Sequence, residues 1–599
     1  MIIGPVFSRE VVTAPRRGRL YIARAAYVAA LLVLMCTAWL LLAGTQVVRN
    51  VGDMARFGAM LFQILAPLQL GLGAFFSALL AASAVAQEKD RRTLVLLLLT
   101  HLSNSELVLG KLLASMLGVL VLLAASLPLF MFSALLGGVS FEQIARVFAV
   151  TLATALAAGS LGSMLALWRE KTFQTLALAI LALVFWLAAG EALAMGAAGQ
   201  SWGGVSTETW AQVASPWQAI LLATRPLLVS RTPLPLVGDP VNGYLLLASL
   251  LAVVLNAIAI LRVRAWNPSR EVRPRSAEAE EPESIWGMTE ESAAAARRAM
   301  ARNVHSAGGR TRTVWDNPIV WREIATWAYG RKVLAIRIGY LLLVALAATA
   351  LYAAERSDEG LTTATGALVL VPLFVLSLVL INAQSVTSLT TERDMRALDL
   401  LLVTDLSAKE FVFGKLGGVF YNAKEMVGLP MLLCGYLWFE GAVSGENLLY
   451  LLGGLAVMDA FVAMLGVHSG MSYGNSRTAI GVSLGTVFFL FVGVATCMRL
   501  MVAFRSFHWQ IQPFLAFMIG GGVGLFVALG SRNPSRAIAI ASVAAPIATF
   551  WAMTSFLLDY TLGVFLVTVA TYGFATAAML VPAISEFDVA KARAAGTEE

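Results

Sequence analysis

Few residues in this 599-residue chain have the types and spacing that chemistry requires. Gly110-Lys111 and Gly414-Lys415 raise the question of a phosphate loop. That loop needs G-x-x-x-x-G-K-[ST], so that backbone N–H groups cradle phosphates and a hydroxyl reaches Mg²⁺. Leu112 and Leu416 follow the two lysines, and no glycine stands five residues before either pair. A nucleotide site of this type is not expected, and Lys111 and Lys415 are expected to snorkel to lipid headgroups. Gly470-Met471-Ser472-Tyr473-Gly474 matches the G-x-S-x-G nucleophile pattern, and His468 is two residues away. That pattern works at a strand-to-helix turn, and the surrounding sequence has no evident strand. None of the four histidines forms H-E-x-x-H, so a zinc peptidase is not supported. No catalytic residue and no metal ligand is expected.

Ionisable residues inside apolar runs are functional candidates by default. Lys424, Glu425 and Asp459 are the clearest, and the first half holds Leu120 and Val121 in place of Lys424 and Glu425. Lys424 and Asp459 should lie at similar depths on successive helices, where an ion pair between them is the simplest reading. Glu191 falls at the outer end of its run.

The elements that position these residues follow from two internal repeats. Residues 88–112, EKDRRTLVLLLLTHLSNSELVLGKL, recur at 392–416 as ERDMRALDLLLVTDLSAKEFVFGKL, at an offset of 304 without a gap. Glu88/Glu392, Asp90/Asp394, Arg92/Arg396, Thr100/Thr404, Ser103/Ser407, Glu106/Glu410, Gly110/Gly414 and Lys111/Lys415 are identical. Ser103 to Glu106 and Ser407 to Glu410 fit the capping box that opens a helix. Each copy therefore reads as a short helix at the membrane surface, a capped turn and the entry into a transmembrane helix. Recurrence of the charged positions, and not only of the apolar ones, favours a docking surface over a plain charged turn. A second pair of segments, 5–27 and 318–340, matches at an offset of 313 through Pro5/Pro318, Arg9/Arg322, Glu10/Glu323, Arg24/Arg337 and Tyr27/Tyr340. Each reads as an interfacial helix before a first span. The chain is a tandem duplication.

Hydrophobic residues make up 59% of the chain and charged ones 13%, against about a quarter charged in soluble proteins. The fold class is therefore an all-α polytopic membrane protein of two homologous six-helix units, with 12 to 14 spans in all. The net charge of +7 gathers in a few loops. It fits the enrichment of Lys and Arg in cytoplasmic loops and does not call for nucleic acid. Residues 1–264 form the first unit, 265–316 a polar cytoplasmic linker, and 317–599 the second unit. First-unit spans are expected near 25–48, 57–86, 106–135, 145–168, 172–195 and 241–263, with a helix on the outer surface around Ser215–Leu228. Second-unit spans are expected near 334–354, 363–389, 410–437, 447–468 and 477–501. Further apolar runs lie near 513–530, 537–556 and 560–584. The first two of these form an extra pair, at 513–556, that either crosses or is re-entrant. Both termini are expected in the cytoplasm. Cys36, Cys434 and Cys497 all lie in apolar runs, so no disulfide framework is suggested.

The ordered set P-x-x-x-R-E, then E-[KR]-D-x-R, LLLL, S-x-x-E and GK resembles the permease subunit of ABC-type exporters of the type-2 class. The resemblance covers nearly the whole chain apart from the linker and the extra apolar pair. It implies that Glu88–Thr100 and Glu392–Thr404 are coupling helices, with Glu88, Asp90, Arg92, Thr100, Glu392, Asp394, Arg396 and Thr404 facing a partner. It implies that Arg9, Glu10, Arg322 and Glu323 belong to interfacial connecting helices. It implies a separate ATP-binding subunit in two copies, with ATP and Mg held there and no cofactor in this chain. The expected location is the inner membrane, in contact with lipid. Two other classes stay open: an ATPase-linked membrane scaffold for envelope assembly or motility, and an ion-coupled secondary transporter.

Overall fold

The computed structural model describes residues 4–13, 18–45, 50–196, 199, 201–202, 204–226, 238–267, 314–325, 333–356, 360–503, 514–530, 534–557 and 560–596. The acidic and basic patches of the linker, Glu278 to Arg302, lie outside the described residues. Among the described residues, twelve helices are long and apolar enough to cross a bilayer. The chain is an all-α polytopic membrane protein, as its composition requires.

The first unit begins with α1 (Pro5–Thr13) and the first span α2 (Gly18–Thr45). The 40-residue α3 (Val51–Asp90), the short α4 (Thr93–Leu99), α5 (Asn104–Leu135), α6 (Phe141–Trp168) and α7 (Thr172–Ala194) follow. A two-stranded antiparallel hairpin, β1 (Ser201–Trp202) and β2 (Val205–Ser206), comes next. The unit closes with α8 (Thr207–Ala214), α9 (Pro216–Thr224) and α10 (Pro240–Trp266). α9 is packed against the spans on one face. Its Ala219, Ile220 and Ala223 are fully buried, and Gln143 of α6 donates to its Thr224 carbonyl at 3.0 Å.

The second unit repeats this order with α11 (Pro318–Ala325), α12 (Leu334–Glu355), α13 (Thr363–Asp394) and α14 (Ala397–Leu402). Then come α15 (Ala408–Asn422), α16 (Lys424–Phe439), α17 (Gly445–Ser472) and α18 (Ser476–Phe488). A π-helical turn, Phe489–Gly493, joins α18 to α19 (Val494–Ala503). The chain ends in α20 (Leu515–Leu529), α21 (Arg536–Leu557) and α22 (Thr561–Gly596).

At the offset of 304, α6 and α17 have the same ends, and α5 covers the same ground as α15 plus α16. The expected continuous span at 410–437 is instead broken at Ala423, whose backbone (φ −99°, ψ 11°) leaves the helical range. α20, at 15 residues, is shorter than a span, whereas α21 meets the length. Tyr473 Oη donates to the Ala528 carbonyl at 2.6 Å, so the end of α20 reaches the same face as the end of α17.

The two sequence units are not independent units of packing. Phe173, Leu176 and Ile180 of α7 belong to one apolar core with Tyr340, Ile381 and Val467 of the second unit. Reciprocally, Val494, Cys497 and Leu500 of α19 join the first unit's core around Leu61 and Phe62. Each half is thus completed by the fifth span of the other.

In lipid the apolar effect does not drive helices together, so close packing of small residues does. Gly162 of α6 and Gly466 of α17 are equivalent positions. A Cβ at Gly162 would lie 2.4 Å from the Ala78 carbonyl oxygen of α3, and one at Gly466 would lie 2.6 Å from Ser385 Cβ of α13. Gly162→Ala is therefore expected to lower stability by about 1–3 kcal/mol through overpacking. Gly71→Ala, where nothing lies within 4 Å, should leave it unchanged or higher. Thermal unfolding of the two variants in detergent checks this.

Candidate functional site

The repeated motif begins where a long span ends. α3 closes with Glu88-Lys89-Asp90 and α13 with Glu392-Arg393-Asp394. The last carbonyls of a helix lack partners within it, and cations are favoured there. Both copies use this on a neighbouring helix. Lys89 Nζ donates to the Leu167 and Arg169 carbonyls at the end of α6, at 2.5 and 2.9 Å. Arg393 Nη1 donates to the Gly470 carbonyl at the end of α17 at 2.9 Å, and to that of Tyr473. The aspartates behave in the same paired way: Thr172 Oγ1 donates to Asp90 at 2.5 Å, and Ser476 Oγ to Asp394 at 2.6 Å. Arg91 then joins the two units by a 3.0 Å salt bridge to Asp394. Its counterpart is missing because Met395 stands where Arg91 does, and among the described residues Asp90 Oδ1 is buried without a hydrogen-bond partner.

The next residue turns the chain. Arg92 (φ 59°) and Arg396 (φ 57°) adopt the left-handed conformation in both copies. For an L-residue this costs about 1–2 kcal/mol relative to glycine. Both side chains are exposed, and neither guanidinium has a partner among the described residues. The short helices α4 and α14 follow, closed by Thr100 and Thr404, whose hydroxyls donate to the Leu97 and Leu401 carbonyls at 2.6 Å. Their outer faces repeat as well: Leu96 and Leu99 are 64% and 67% exposed, and the aligned Leu400 and Val403 are 70% and 69% exposed. Both capping boxes form, with Ser103 N–H to Glu106 at 3.0 Å and Ser407 N–H to Glu410 at 2.9 Å.

The lysines do not snorkel to headgroups. Lys415 is 1% exposed and bridges Glu323 and Glu392, both at 2.7 Å. Arg322 also pairs with Glu392 and lies 3.3 Å from Glu323. Glu323 is thus the buried anchor of α11 rather than a residue at the lipid interface. Burial alone would raise its pKa, but the Lys415 ammonium and the Arg322 guanidinium outweigh this and hold it below the usual carboxylate range. In the first unit Lys111 pairs with Glu88 at 2.7 Å, and Thr93 Oγ1 also donates to Glu88.

The intramembrane candidates do not assemble as expected. Lys424 and Asp459 form no ion pair. Lys424 Nζ lies over the Tyr421 ring, 4.8 Å from its centre, and Glu425 pairs with Arg337 at 3.4 Å. Asp459 is buried at 5% exposure, with no hydrogen-bond or ion-pair partner among the described residues. Gly470–Gly474 sits at the end of α17 and not at an elbow. A Cβ at Gly470 would lie 3.0 Å from Leu389 Cβ, and His468 Nε2 contacts the Leu529 carbonyl at 2.8 Å.

The structure therefore turns Glu88, Asp90, Glu392 and Asp394 into intramolecular contacts and leaves Arg92, Thr100, Arg396 and Thr404 outside. Two features escaped a search for identical residues: the Lys89/Arg393 and Thr172/Ser476 pairs, which match in chemistry but not in identity, and the exposed apolar pairs of α4 and α14. Comparison with family models, curated proteins and solved structures finds no match to this chain.

Removing one partner of a buried pair costs about 3–5 kcal/mol, so Lys415→Ala should destabilise the detergent-solubilised protein by that order and Lys111→Ala by less. Because the pKa of Glu323 is depressed, its contribution is complete above the unfolded value of about 4.3. It is lost as pH falls through the folded value. Unfolding midpoints from pH 7 downward should fall more steeply below pH 5 in the native chain than in Glu323→Gln.

Proposed function

We infer that this chain is the membrane-spanning permease of an ATP-driven transporter of the ABC type, an exporter lying in the inner membrane with both termini cytoplasmic. A separate ATP-binding subunit, in two copies, docks on α4 and α14. ATP and Mg²⁺ belong to that partner.

One observation carries the reading. Two equivalent short helices lie on one face of the molecule, each led by an arginine in a strained backbone conformation. Glycine would relieve the strain at no steric cost, and among the described residues the guanidinium has no hydrogen-bond or ion-pair partner in either copy. A side chain kept under those conditions twice points outward to something else. The apolar pairs Leu96/Leu99 and Leu400/Val403 supply the centre of such a contact, with the arginines at its edge.

The inward charges have a complementary role in this reading. Lys89 and Arg393 tie the ends of α3 and α13 to the ends of α6 and α17. A partner that draws α4 and α14 together therefore moves spans and not only loops. The Arg91–Asp394 bridge is exposed on its arginine side, 48% against 4%. It can be broken and remade as the two motifs separate and approach, since a half-exposed pair is modest in energy.

Charge reversal at Glu88 or Glu392 would disturb folding as well as docking, so the decisive variants are outward ones. Leu96→Asp with Leu400→Asp, and separately Arg92→Gly with Arg396→Gly, should leave the unfolding midpoint within a few degrees of the native chain. Each pair should abolish copurification of an ATP-hydrolysing subunit from native membranes. Failure of the unmodified chain to bring down any ATPase, or its retention by both double variants, overturns the assignment.

A further inference from the structure

The four-residue charge cluster exists twice but is closed only once. Arg322, Glu323, Glu392 and Lys415 correspond to Arg9, Glu10, Glu88 and Lys111. In the second unit Lys415 and Glu323 are 1% and 3% exposed and in direct contact. In the first unit Lys111 is 17% exposed, and among the described residues its ion pair is with Glu88 and not with Glu10. The space between is a cavity of about 720 Å³ lined by all four first-unit residues. That volume lies within the roughly 300–1,000 Å³ of small-molecule sites.

One methyl group distinguishes the two copies at this point. Glu323 packs on Gly418, where a Cβ would lie 2.6 Å from Glu323 Cβ. The equivalent residue of the first unit is Ala114, which lines the cavity. A methyl group therefore stands in the first unit where the second has none.

The closed copy shows what chemistry the open one accepts. Beside the lysine the second unit seats a carboxylate, 2.7 Å from Nζ and 3.3 Å from an arginine nitrogen. The first-unit cavity adds a cation from the other half: Arg477, aligned with Phe173, also lines it. Among the described residues that line it, Arg9, Lys111 and Arg477 stand against Glu10 and Glu88, an excess of one positive charge. The opposite wall is aliphatic, with Leu80, Leu97 and Leu117. The cavity lies where the spans α3 and α5 meet α4, at the membrane edge.

We propose that this cavity binds an anionic phospholipid, with the headgroup phosphate at Lys111 and Arg477 and an acyl chain along the leucines. The occupant fills the first unit's cluster as Glu323 fills the second's. This does not depend on the transport reading.

The test uses the full chain in neutral maltoside detergent, with unfolding followed by tryptophan fluorescence. Dihexanoyl phosphatidylglycerol should raise the midpoint saturably, because a ligand that binds the folded state alone stabilises it. Ala114→Gly admits Glu10, and Ala114→Leu fills the space. Each should weaken the apparent affinity at least tenfold, and the smaller change serves if the larger one fails to fold. Gly418→Ala should lower the lipid-free midpoint by prising Glu323 from Lys415. Equal lipid shifts in the native chain and Ala114→Gly overturn the site. Dihexanoyl phosphatidylcholine matching the anionic lipid overturns the charge argument. Inorganic phosphate matching it at the same concentration assigns the cavity to a free anion and overturns the lipid.

Discussion

A helix that ends at a bilayer edge leaves its last carbonyls without partners, and this protein answers that need with a cation from the neighbouring span. Lys89 on the end of α6 and Arg393 on the end of α17 are the contacts on which the motif depends. They fix the depth at which α3 and α13 stop, because the carbonyls they reach are set by the neighbouring helix. Once the ends are tied, Asp90 and Asp394 fall against Thr172 and Ser476 at the start of the next span. The chain must then reverse within two residues, and that is where the left-handed arginines occur. Strain, exposure and the short helix beyond are all consequences of the tie.

The same logic explains why the halves interlock. The Thr172 and Ser476 contacts place the start of the fifth spans, α7 and α18, beside the motif of their own unit. From there each fifth span runs into the other unit's core. Arg477 Nη2 donates to the Ala84 carbonyl of the first unit at 3.0 Å, while the aligned Phe173 is buried in the second unit's core. Two equivalent positions therefore serve one interface by different means, a hydrogen bond on one side and apolar packing on the other.

The spans, the duplication and the caps were legible in the sequence because each rests on a local pattern: apolar length, a fixed offset, or a Ser and a Glu three residues apart. The orientation of the charged residues was not. Lys415 meets Glu323 across 92 residues, and nothing near either one distinguishes a buried bridge from a lysine reaching for headgroups. Arg92 and Arg396 carry no local sign of a positive φ, since arginine is not a turn residue. The hidden contacts left one trace. Lys89/Arg393 and Thr172/Ser476 preserve donor chemistry at the offset of 304, which a comparison by chemical class would have found where a comparison by identity does not.

The break at Ala423 shows how far the second unit has diverged, and the divergence is concerted. Pro430 removes the hydrogen bond that the Met426 carbonyl would otherwise accept, and Tyr340 Oη reaches that carbonyl at 3.5 Å. Gln384 Nε2 lies 3.5 Å from the Val419 carbonyl. Asn422 Nδ2 donates to the Gly418 carbonyl at 2.9 Å and approaches that of Glu323 at 3.5 Å. The first unit has Leu80 and Gly118 where the second has Gln384 and Asn422, as it has Leu120, Val121 and Ala155 where the second has Lys424, Glu425 and Asp459. Each polar group in a span is costly, about 2.5–3.5 kcal/mol for a charged one at the bilayer centre. Asn422, Lys424 and Glu425 flank the break in sequence, and Gln384 and Asn422 approach the Val419 and Gly418 carbonyls of the turn before it. That concentration suits an interrupted helix, where polar side chains help to satisfy freed backbone beside the tightened bond from Met426 N–H to the Ala423 carbonyl at 2.8 Å. α5 runs unbroken through its own Pro128, with only aliphatic residues and Gly118 at the same positions.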